Sequence, residues 1–136
     1  VAEGTEVPVF VRLGNRGRGY YEGQQILQVG KVRNVAISDI IVRDCGSVGS
    51  SITGLPGHPV ENVTLRNILI QHRGGQPNTA IPDDEKEKEY PEGTMWGTLP
   101  AQGFFVRHAR NVVFENVTIQ SLAPDERPDY IKLDVE

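Results

Sequence analysis

Apolar and polar positions follow one pattern that occurs three times along the chain. The pattern reads Asn-Val-x-apolar-x-(Asp/Asn)-(Ile/Val), and its copies begin at Asn34, Asn62 and Asn111. Apolar side chains fall one, three, six and eight residues after the first Asn of each copy. Alternation with period two is typical of a strand, but the three-residue step in the middle breaks the phase. Each copy therefore predicts two short strands that face one interior and are joined by a corner.

Asp or Asn occupies the predicted corner in every copy, at Asp39, Asn67 and Asn116. Both residue types tolerate left-handed backbone angles and hydrogen-bond their own turn. Stacked copies would bring equivalent positions above one another, as in a solenoid. The predicted interior columns are Val35, Val63 and Val112, and Ile37, Leu65 and Phe114. The first residues of the copies, Asn34, Asn62 and Asn111, are predicted to form a ladder of paired side-chain amides.

A further apolar strand is predicted ahead of each copy, and a fourth such strand closes the chain. These strands are residues 9–12, 50–53, 104–107 and 130–133. Val106 and Ile131, which are equivalent in the last two, are 25 positions apart, near one turn of a three-sided solenoid. Short strands at this spacing, without a helical period between them, predict an all-β right-handed parallel β-helix. We expect about three to four coils, in a single domain over residues 1–136.

Two insertions lengthen the other intervals between equivalent strands. Residues 14–28 are rich in Gly and Arg, and residues 74–102 contain four prolines and the charge run from Asp83 to Glu89. Gly and Pro disfavour regular strand and helix, so both insertions are predicted to be loops. A short helical turn fits within residues 84–90, and the charge run predicts a solvated loop face.

Composition restricts the classes of partner. The chain has 136 residues, a net charge of -4 and one cysteine, Cys45, so no intrachain disulfide can form. The acidic balance disfavours nucleic acid, and no stretch is apolar over the length that crosses a bilayer. His58, His72 and His108 are not spaced as metal ligands, and His108 is predicted to be structural. The sequence thus predicts no nucleic-acid or membrane partner, no metal and no cofactor.

Several segments match one known family in the same order along the chain. They are Val-Phe-Val-Arg-Leu-Gly-Asn-Arg-Gly-Arg-Gly at 9–19, Tyr-Pro-Glu at 90–92, Leu-Pro-Ala at 99–101, Gly-Phe-Phe-Val-Arg-His at 103–108 and Asp-Glu-Arg-Pro at 125–128. These segments resemble the C-terminal coils of glycoside hydrolase family 28, the polygalacturonase and rhamnogalacturonase family. The resemblance covers residues 7–135 and implies a right-handed parallel β-helix and hydrolysis of galacturonan with inversion. It also implies a pectic or other acidic polysaccharide as partner and an extracellular or periplasmic location.

The catalytic motifs of that family do not carry over to this chain. The Asn-Thr-Asp, Gly-His-Gly and Arg-Ile-Lys motifs are absent. Asp83-Asp84 matches the Asp-Asp motif but follows His58, which reverses the family order, and Ile131-Lys132 lacks the preceding Arg. We therefore assign no catalytic residue and expect the C-terminal β-helix portion of a longer enzyme, inactive alone. Two alternatives stay open: a non-catalytic carbohydrate-binding or assembly module, and an independent hydrolase that uses other carboxylates.

Candidate substrate-binding residues lie at the end of the first predicted strand and in the loop after it. They are Arg12, Asn15, Arg16 and Arg18. Guanidinium groups pair bidentately with carboxylates such as those of an acidic sugar. The alternative is that these arginines cover the side of the β-helix and bond backbone carbonyls.

Two aromatic residues flank the charge run in the second insertion. Tyr90 and Trp96 could form a platform for a sugar ring, or one of the rings could pin the long loop against the strands. The pinning role is the favoured interpretation.

The first predicted coil has strand edges that no earlier coil covers. Residues 9–13 and 32–42 would leave unpaired backbone groups and an apolar cross-section at that end. We expect the N-terminal residues to cover this end, or a second copy to pair with it. The sequence therefore predicts a homo-oligomer that forms through the exposed N-terminal coil.

Overall fold

Strands make up the regular structure of this protein. The computed structural model describes residues 1–15 and 29–136, and within those residues it has seven strands and no helix. The strands are β1 (Ala2–Glu3), β2 (Phe10–Arg12), β3 (Arg33–Cys45), β4 (Ser50–Thr53), β5 (Val60–Gly74), β6 (Phe104–Ala123) and β7 (Tyr130–Val135). The predicted all-β class is confirmed for this part of the chain. Accordingly, the described ranges offer no helix that could span a bilayer.

All strand pairs are parallel and belong to one sheet. Its order is β1-β3-β5-β6-β4-β2, and β7 also pairs with β6. The first residues of β6 pair with β4 and β7, whereas the rest of β6 pairs with β5. Between these two parts the backbone turns at His108, which has a φ of 53°. The sheet therefore curls into a half-barrel, and its inner face holds the core.

Neighbouring strands pair in the register that the repeat predicts. The observed columns are Val35, Val63 and Val112; Ile37, Leu65 and Phe114; Ile40, Ile68 and Val117; and Val42, Ile70 and Ile119. The strands that precede the copies also stack on one another, because β4 pairs with β2 on one edge and with β6 on the other. Both predicted interior columns are confirmed.

Left-handed backbone conformations mark both ends of the first short strand in each copy. Six Asn or Asp residues of the repeat have φ between 53° and 60°. They are Asn34, Asp39, Asn62, Asn67, Asn111 and Asn116. The predicted corners are therefore confirmed, and the first Asn of each copy forms an additional corner. Between two left-handed residues, successive side chains point to alternate faces of the strand. At each left-handed residue the backbone changes direction.

Side-chain amides link these corners from strand to strand. Asn62 Nδ2 donates to Asn34 Oδ1 at 3.0 Å, and Asn111 Nδ2 donates to Asn62 Oδ1 at 2.9 Å. This arrangement confirms the predicted ladder. A second ladder, absent from the sequence-based prediction, joins Asp39, Asn67 and Asn116 over distances of 3.1 and 2.9 Å. Each copy is thus tied to the next at two corners.

Burial decreases from the middle copy of the repeat to the outer copies. Val63 and Leu65 in β5 are 0% exposed, whereas Val35 in β3 and Phe114 in β6 are only half-buried. The strand β5 has a neighbour on each edge, whereas within residues 1–15 and 29–136 most of β3 and most of β6 have a neighbour on one edge only. The central columns of the repeat are therefore buried most completely where a strand lies on both sides.

The N-terminal residues cover part of the outer edge of β3. Ala2 pairs with Val42 and Glu3 with Arg43. The sequence pattern did not predict this two-residue strand, although covering by the N-terminus is one of the two arrangements expected for that edge. Residues 33–41 have no strand neighbour on the same edge within the described ranges.

The long insertion over residues 74–102 is irregular beyond its first residue, as predicted. The helical turn that the sequence allowed within residues 84–90 is a single hydrogen-bonded turn, in which Glu89 N donates to Lys86 O at 3.1 Å. Lys86 has a φ of 47°, which ends any helical course at that residue. The first insertion, residues 14–28, lies mostly outside the described residues.

One buried ion pair ties the end of the long insertion to the last turn before β7. The side chains of Arg127 and Asp125 are both 0% exposed, and Arg127 Nε donates to Asp125 Oδ1 at 2.9 Å. Arg127 Nη1 also donates to the carbonyl oxygens of Val48, Leu99 and Ala101. Burial raises the pKa of Asp125, but the hydrogen bonds from Arg127 outweigh burial and hold this pKa below its ordinary value.

We expect Asn62→Ala to lower the free energy of unfolding by about 2–3 kcal/mol. Alanine is strained at a φ of 55°, and both ladder hydrogen bonds of Asn62 are lost. Asn62→Gly loses the same hydrogen bonds without that strain and should cost about 1 kcal/mol less. Urea unfolding followed by circular dichroism measures both values. An alanine variant as stable as the glycine variant would contradict the need for a left-handed residue here.

Stability should depend on pH through Asp125. Because its pKa is lower in the folded state, the ionised carboxylate stabilises the fold above its unfolded pKa of about 3.9. That contribution is lost as pH falls through the lowered folded pKa. The wild-type protein should therefore lose stability more steeply than Asp125→Asn below about pH 4, as measured by urea unfolding at a series of pH values. Parallel slopes for the two proteins would exclude this role of Asp125.

Candidate functional site

Two arginines from stacked strands face the long insertion. Arg12 ends β2, Arg107 lies in β6, and Thr53 of β4 lies between them in the same column. Arg107 Nη1 donates to Pro82 O at 2.6 Å, and its Nη2 donates to the carbonyl oxygen of Asp84 at 3.1 Å. The guanidinium group of Arg107 therefore satisfies carbonyl groups of a loop that lacks strand partners of its own.

Arg12 makes a similar set of bonds within the protein. Its Nη1 donates to Thr53 Oγ1 at 3.2 Å and to Gly54 O at 3.1 Å, and its Nη2 donates to the carbonyl oxygen of Glu85. Burial lowers the pKa of Arg12, while the nearby Glu85 carboxylate opposes that shift and Arg107 adds to it. Bonding to backbone carbonyls is what the structural interpretation of these arginines predicts. The interpretation of Arg12 as a sugar ligand stays a prediction.

Trp96 packs against both of these arginines. The guanidinium carbon of Arg12 lies 5.0 Å from the centre of the Trp96 ring, and that of Arg107 lies 5.3 Å from it. Trp96 also meets Phe105 edge-on at 6.3 Å, and its Nε1 donates to Asp84 O at 3.2 Å. The favoured interpretation, an aromatic ring that pins the insertion, is confirmed for Trp96. Tyr90 has a side chain that is 65% exposed.

A histidine joins the insertion to the last strand. His108 Nε2 lies 2.9 Å from Glu85 Oε1, and its Nδ1 lies 2.6 Å from Asp134 Oδ2. Both nitrogens can donate at the same time only in the protonated imidazolium. Glu85 Oε2 lies 3.6 Å from Arg107 Nε, and neither buried atom has a hydrogen bond within the described residues. His108 thus has the structural contacts predicted for it.

The charge run is not a uniformly solvated loop face. Asp83, Asp84 and Glu89 are exposed as predicted. For Glu85 and Glu87 that prediction is wrong, because Glu85 contacts Arg107 and His108, and Glu87 Oε1 accepts a hydrogen bond from Asn15. The alternating charges in the sequence do not distinguish the exposed carboxylates from the two that form contacts. Which carboxylates form contacts depends on which of them lie close to the strands.

The four predicted substrate-binding residues are only partly described. Asn15 Nδ2 donates to Glu87 Oε1 at 2.9 Å, and Asn15 N donates to Glu87 O at 2.7 Å. The structure therefore brings Arg12 and Asn15 to the same insertion. Arg16 and Arg18 lie outside the described residues. The sequence did not predict that Glu85 and Asp134 would contact His108, or that Arg107 would lie beside Glu85.

The remaining histidines lie apart from this cluster. His58 is exposed, whereas His72 is buried and its Nε2 lies 3.0 Å from Gln102 Oε1. Across residues 1–15 and 29–136, no three His, Cys, Asp or Glu side chains are grouped so that they could hold a metal ion.

The cluster of Arg12, Glu85, Trp96, Arg107 and His108, which we call the clamp, is a network of ion pairs and ring contacts. Its chemistry is to hold the insertion against β2 and β6.

Comparison of the chain with protein-family models, with curated proteins and with solved structures finds no match. The motif resemblance from the sequence stays an expectation.

We expect Trp96→Ala to loosen the insertion, because Trp96 contacts both arginines of the clamp and Phe105. Trypsin cleavage after Lys86 or Lys88 should become at least about tenfold faster, since local opening controls proteolysis of a folded chain. Mass spectrometry of the fragments measures this rate.

The matched control is Ile81→Ala, which changes an exposed apolar residue of the same insertion. It should be cleaved at the wild-type rate. Equal cleavage of the Trp96 variant and the wild-type protein would mean that Trp96 does not hold the loop.

Proposed function

We propose that the curled parallel sheet is a right-handed parallel β-helix. Support comes from β6, which takes part in two stacked faces, so that one strand crosses from one side of the coil to the next. The last interval between equivalent strands is 26 residues, from Val106 to Lys132, one more than the 25 that the sequence predicted by matching Val106 to Ile131, and it fits one turn of such a coil. The crossover rule for parallel strands favours the right hand. A crystal structure with left-handed connections would contradict the proposal.

On this fold, we propose the C-terminal β-helix portion of a polygalacturonase-like glycoside hydrolase that acts on pectic polysaccharide outside the cytoplasm. The observation that carries the proposal is the stack of Asn-cornered coils together with the family-like segments at 9–19 and 103–108. The chain is proposed to be inactive alone. Inverting hydrolysis needs two carboxylates held far enough apart to admit water, and Asp83 and Asp84 are neighbours on an exposed loop.

Incubation of the purified chain with polygalacturonate tests the lack of activity. We expect no increase in reducing ends above a buffer control, because the family motifs for the acid and the base are absent. Turnover that disappears in Asp83→Asn or Asp84→Asn would instead identify an independent hydrolase. Turnover that survives both substitutions would refute the proposal and leave the active carboxylates elsewhere.

The coding sequence upstream of Val1 gives a second, independent test. The proposal expects the Asn-Thr-Asp and Asp-Asp motifs of the family in the same reading frame, on earlier coils of the same repeat. An upstream frame without such coils would contradict the enzyme assignment whatever the activity of the purified chain.

The alternative function is a non-catalytic carbohydrate-binding or assembly module. It draws support from the Gly- and Arg-rich segment that follows β2 in the sequence, since guanidinium groups recognise acidic sugars, whereas Arg12 and Arg107 donate to carbonyl groups within the protein. Titration with oligogalacturonides by calorimetry separates the two proposals. Saturable binding by this chain, weakened in Asn15→Ala, would favour the module. The absence of binding at millimolar ligand would count against it.

A further inference from the structure

The imidazole ring of His108 lies where β6, β7 and the long insertion meet. Its Nε2 lies 2.9 Å from Glu85 Oε1 of the insertion, and its Nδ1 lies 2.6 Å from Asp134 Oδ2 of β7. The side chain of His108 is 12% exposed and that of Glu85 is 27% exposed. The ring therefore bridges two carboxylates that belong to different parts of the chain.

Each ring nitrogen needs a hydrogen to donate to its carboxylate. The imidazolium carries two such hydrogens, whereas a neutral tautomer carries one and presents a lone pair at its other nitrogen. A lone pair cannot bind a carboxylate oxygen, so deprotonation removes one of the two contacts. The contact with Asp134 is the shorter one, and short charge-assisted bonds are the stronger ones. The remaining hydrogen therefore stays on Nδ1, and the contact between Nε2 and Glu85 is lost.

Loss of that contact leaves the Glu85 carboxylate weakly held. Its Oε2 lies 3.6 Å from Arg107 Nε and has no hydrogen bond within the described residues. The backbone around Glu85 is itself held by arginines, since Asp84 O accepts from Arg107 and Glu85 O accepts from Arg12. A displacement of the Glu85 side chain thus acts on the part of the insertion that the clamp holds.

We propose that residues 82–89, which we call the strap, are a pH-sensitive segment that protonated His108 holds against β6 and β7. The bridge requires the imidazolium. It is therefore complete on the acidic side and is lost as pH rises through deprotonation of the folded ring. The proposal is independent of the glycan function, because it uses only contacts between described residues.

Charged groups from several elements lie around this bridge. The insertion supplies Glu85, β7 supplies Asp134, β6 supplies Arg107, and the turn ahead of β5 supplies the exposed His58. In β2, burial lowers the pKa of Arg12 and the Glu85 carboxylate opposes that shift. Arginine stays protonated and carboxylates stay ionised near neutral pH, where imidazole changes its charge. Charges elsewhere in the chain alter the pH at which the ring loses its proton, but not which of its two forms completes the bridge.

Fluorescence of Trp96, the single tryptophan of the chain, reports on the strap. Its Nε1 donates to Asp84 O and its ring contacts Arg107. Loosening of the strap should expose the ring and shift its emission to longer wavelength as pH rises. NMR of the imidazole nitrogens measures the loss of the His108 proton in the same sample, and the two midpoints should coincide. An emission maximum that stays constant while the ring titrates would overturn the proposal.

Glu85→Gln separates the lost contact from a general effect of pH. The amide of this variant can donate to the lone pair of the neutral ring or, turned over, accept from the protonated ring. The contact should therefore survive deprotonation of His108, and the emission of Trp96 should keep its low-pH position throughout. A shift as large as that of the wild-type protein would contradict the role of Glu85.

His108→Gln and His58→Gln are the matched pair for the histidine itself. His108→Gln should abolish the emission shift, because the new side chain has no proton to lose in this range. His58→Gln should retain it, since His58 is exposed. Persistence of the shift in the first variant, or its loss in the second, would assign the pH dependence to another group. Glu85→Gln leaves the residue at the bend of β6 unchanged, so the proposal stays testable if His108→Gln does not fold.

Trypsin cleavage after Lys86 or Lys88 provides a second readout of the strap. At each pH the rate is divided by that of a peptide of residues 80–92, which corrects for the pH dependence of the protease. This ratio should rise at least about fivefold as the ring loses its proton, because one charge-assisted hydrogen bond is lost and local opening controls cleavage. A ratio that stays level or falls with rising pH would contradict the proposal.

Discussion

Each copy of the repeat changes direction at an Asn or Asp in the left-handed region of backbone space, and that residue hydrogen-bonds to its equivalent in the next strand. In a straight strand, side chains six and eight residues after the first Asn would point away from those at one and three. The left-handed corner restores them to the same interior. The conformation costs about 1–2 kcal/mol per residue, and the amide ladders offset part of that cost.

The stability of the core depends on neighbours more than on the hydrophobicity of single residues. Val, Ile, Leu and Phe occupy every copy, yet only the middle strand β5 buries its interior positions completely. In the outer strands, the equivalent side chains are covered by a neighbouring strand on one side. This difference makes the edges of the sheet the places where a further strand of any origin gains most from burial.

The long insertion shows how a loop without strand partners is held on a sheet. Its carbonyl groups at Pro82, Asp84 and Glu85 accept hydrogen bonds from arginines of β2 and β6. An arginine can satisfy several carbonyls at once because its donors are fixed in a plane. At the other end of the insertion, Arg127 does the same for Leu99 and Ala101. Polar and cation–ring contacts therefore hold the insertion together with the apolar packing of Leu99 and Ala101.

The repeat alone was enough to predict the strands, the corners and the columns, because these depend on contacts that recur at every copy. Val35, Val63 and Val112 could be aligned from the pattern alone, and so could the corner at Asp39. The amide ladder of the first Asn followed from the same alignment. Local periodicity carries this information since each strand meets only its neighbours in the stack.

Contacts between charged loop residues and the strands are visible only in the folded structure. Glu85, Glu87 and Glu89 look alike in the sequence. In the structure Glu85 contacts His108 and Glu87 contacts Asn15, whereas Glu89 is exposed. The same is true of β1, whose two residues carry no pattern in the sequence and pair with Val42 and Arg43 of β3. Contacts of this kind occur once in the molecule and join residues far apart in the chain, so no period in the sequence records them.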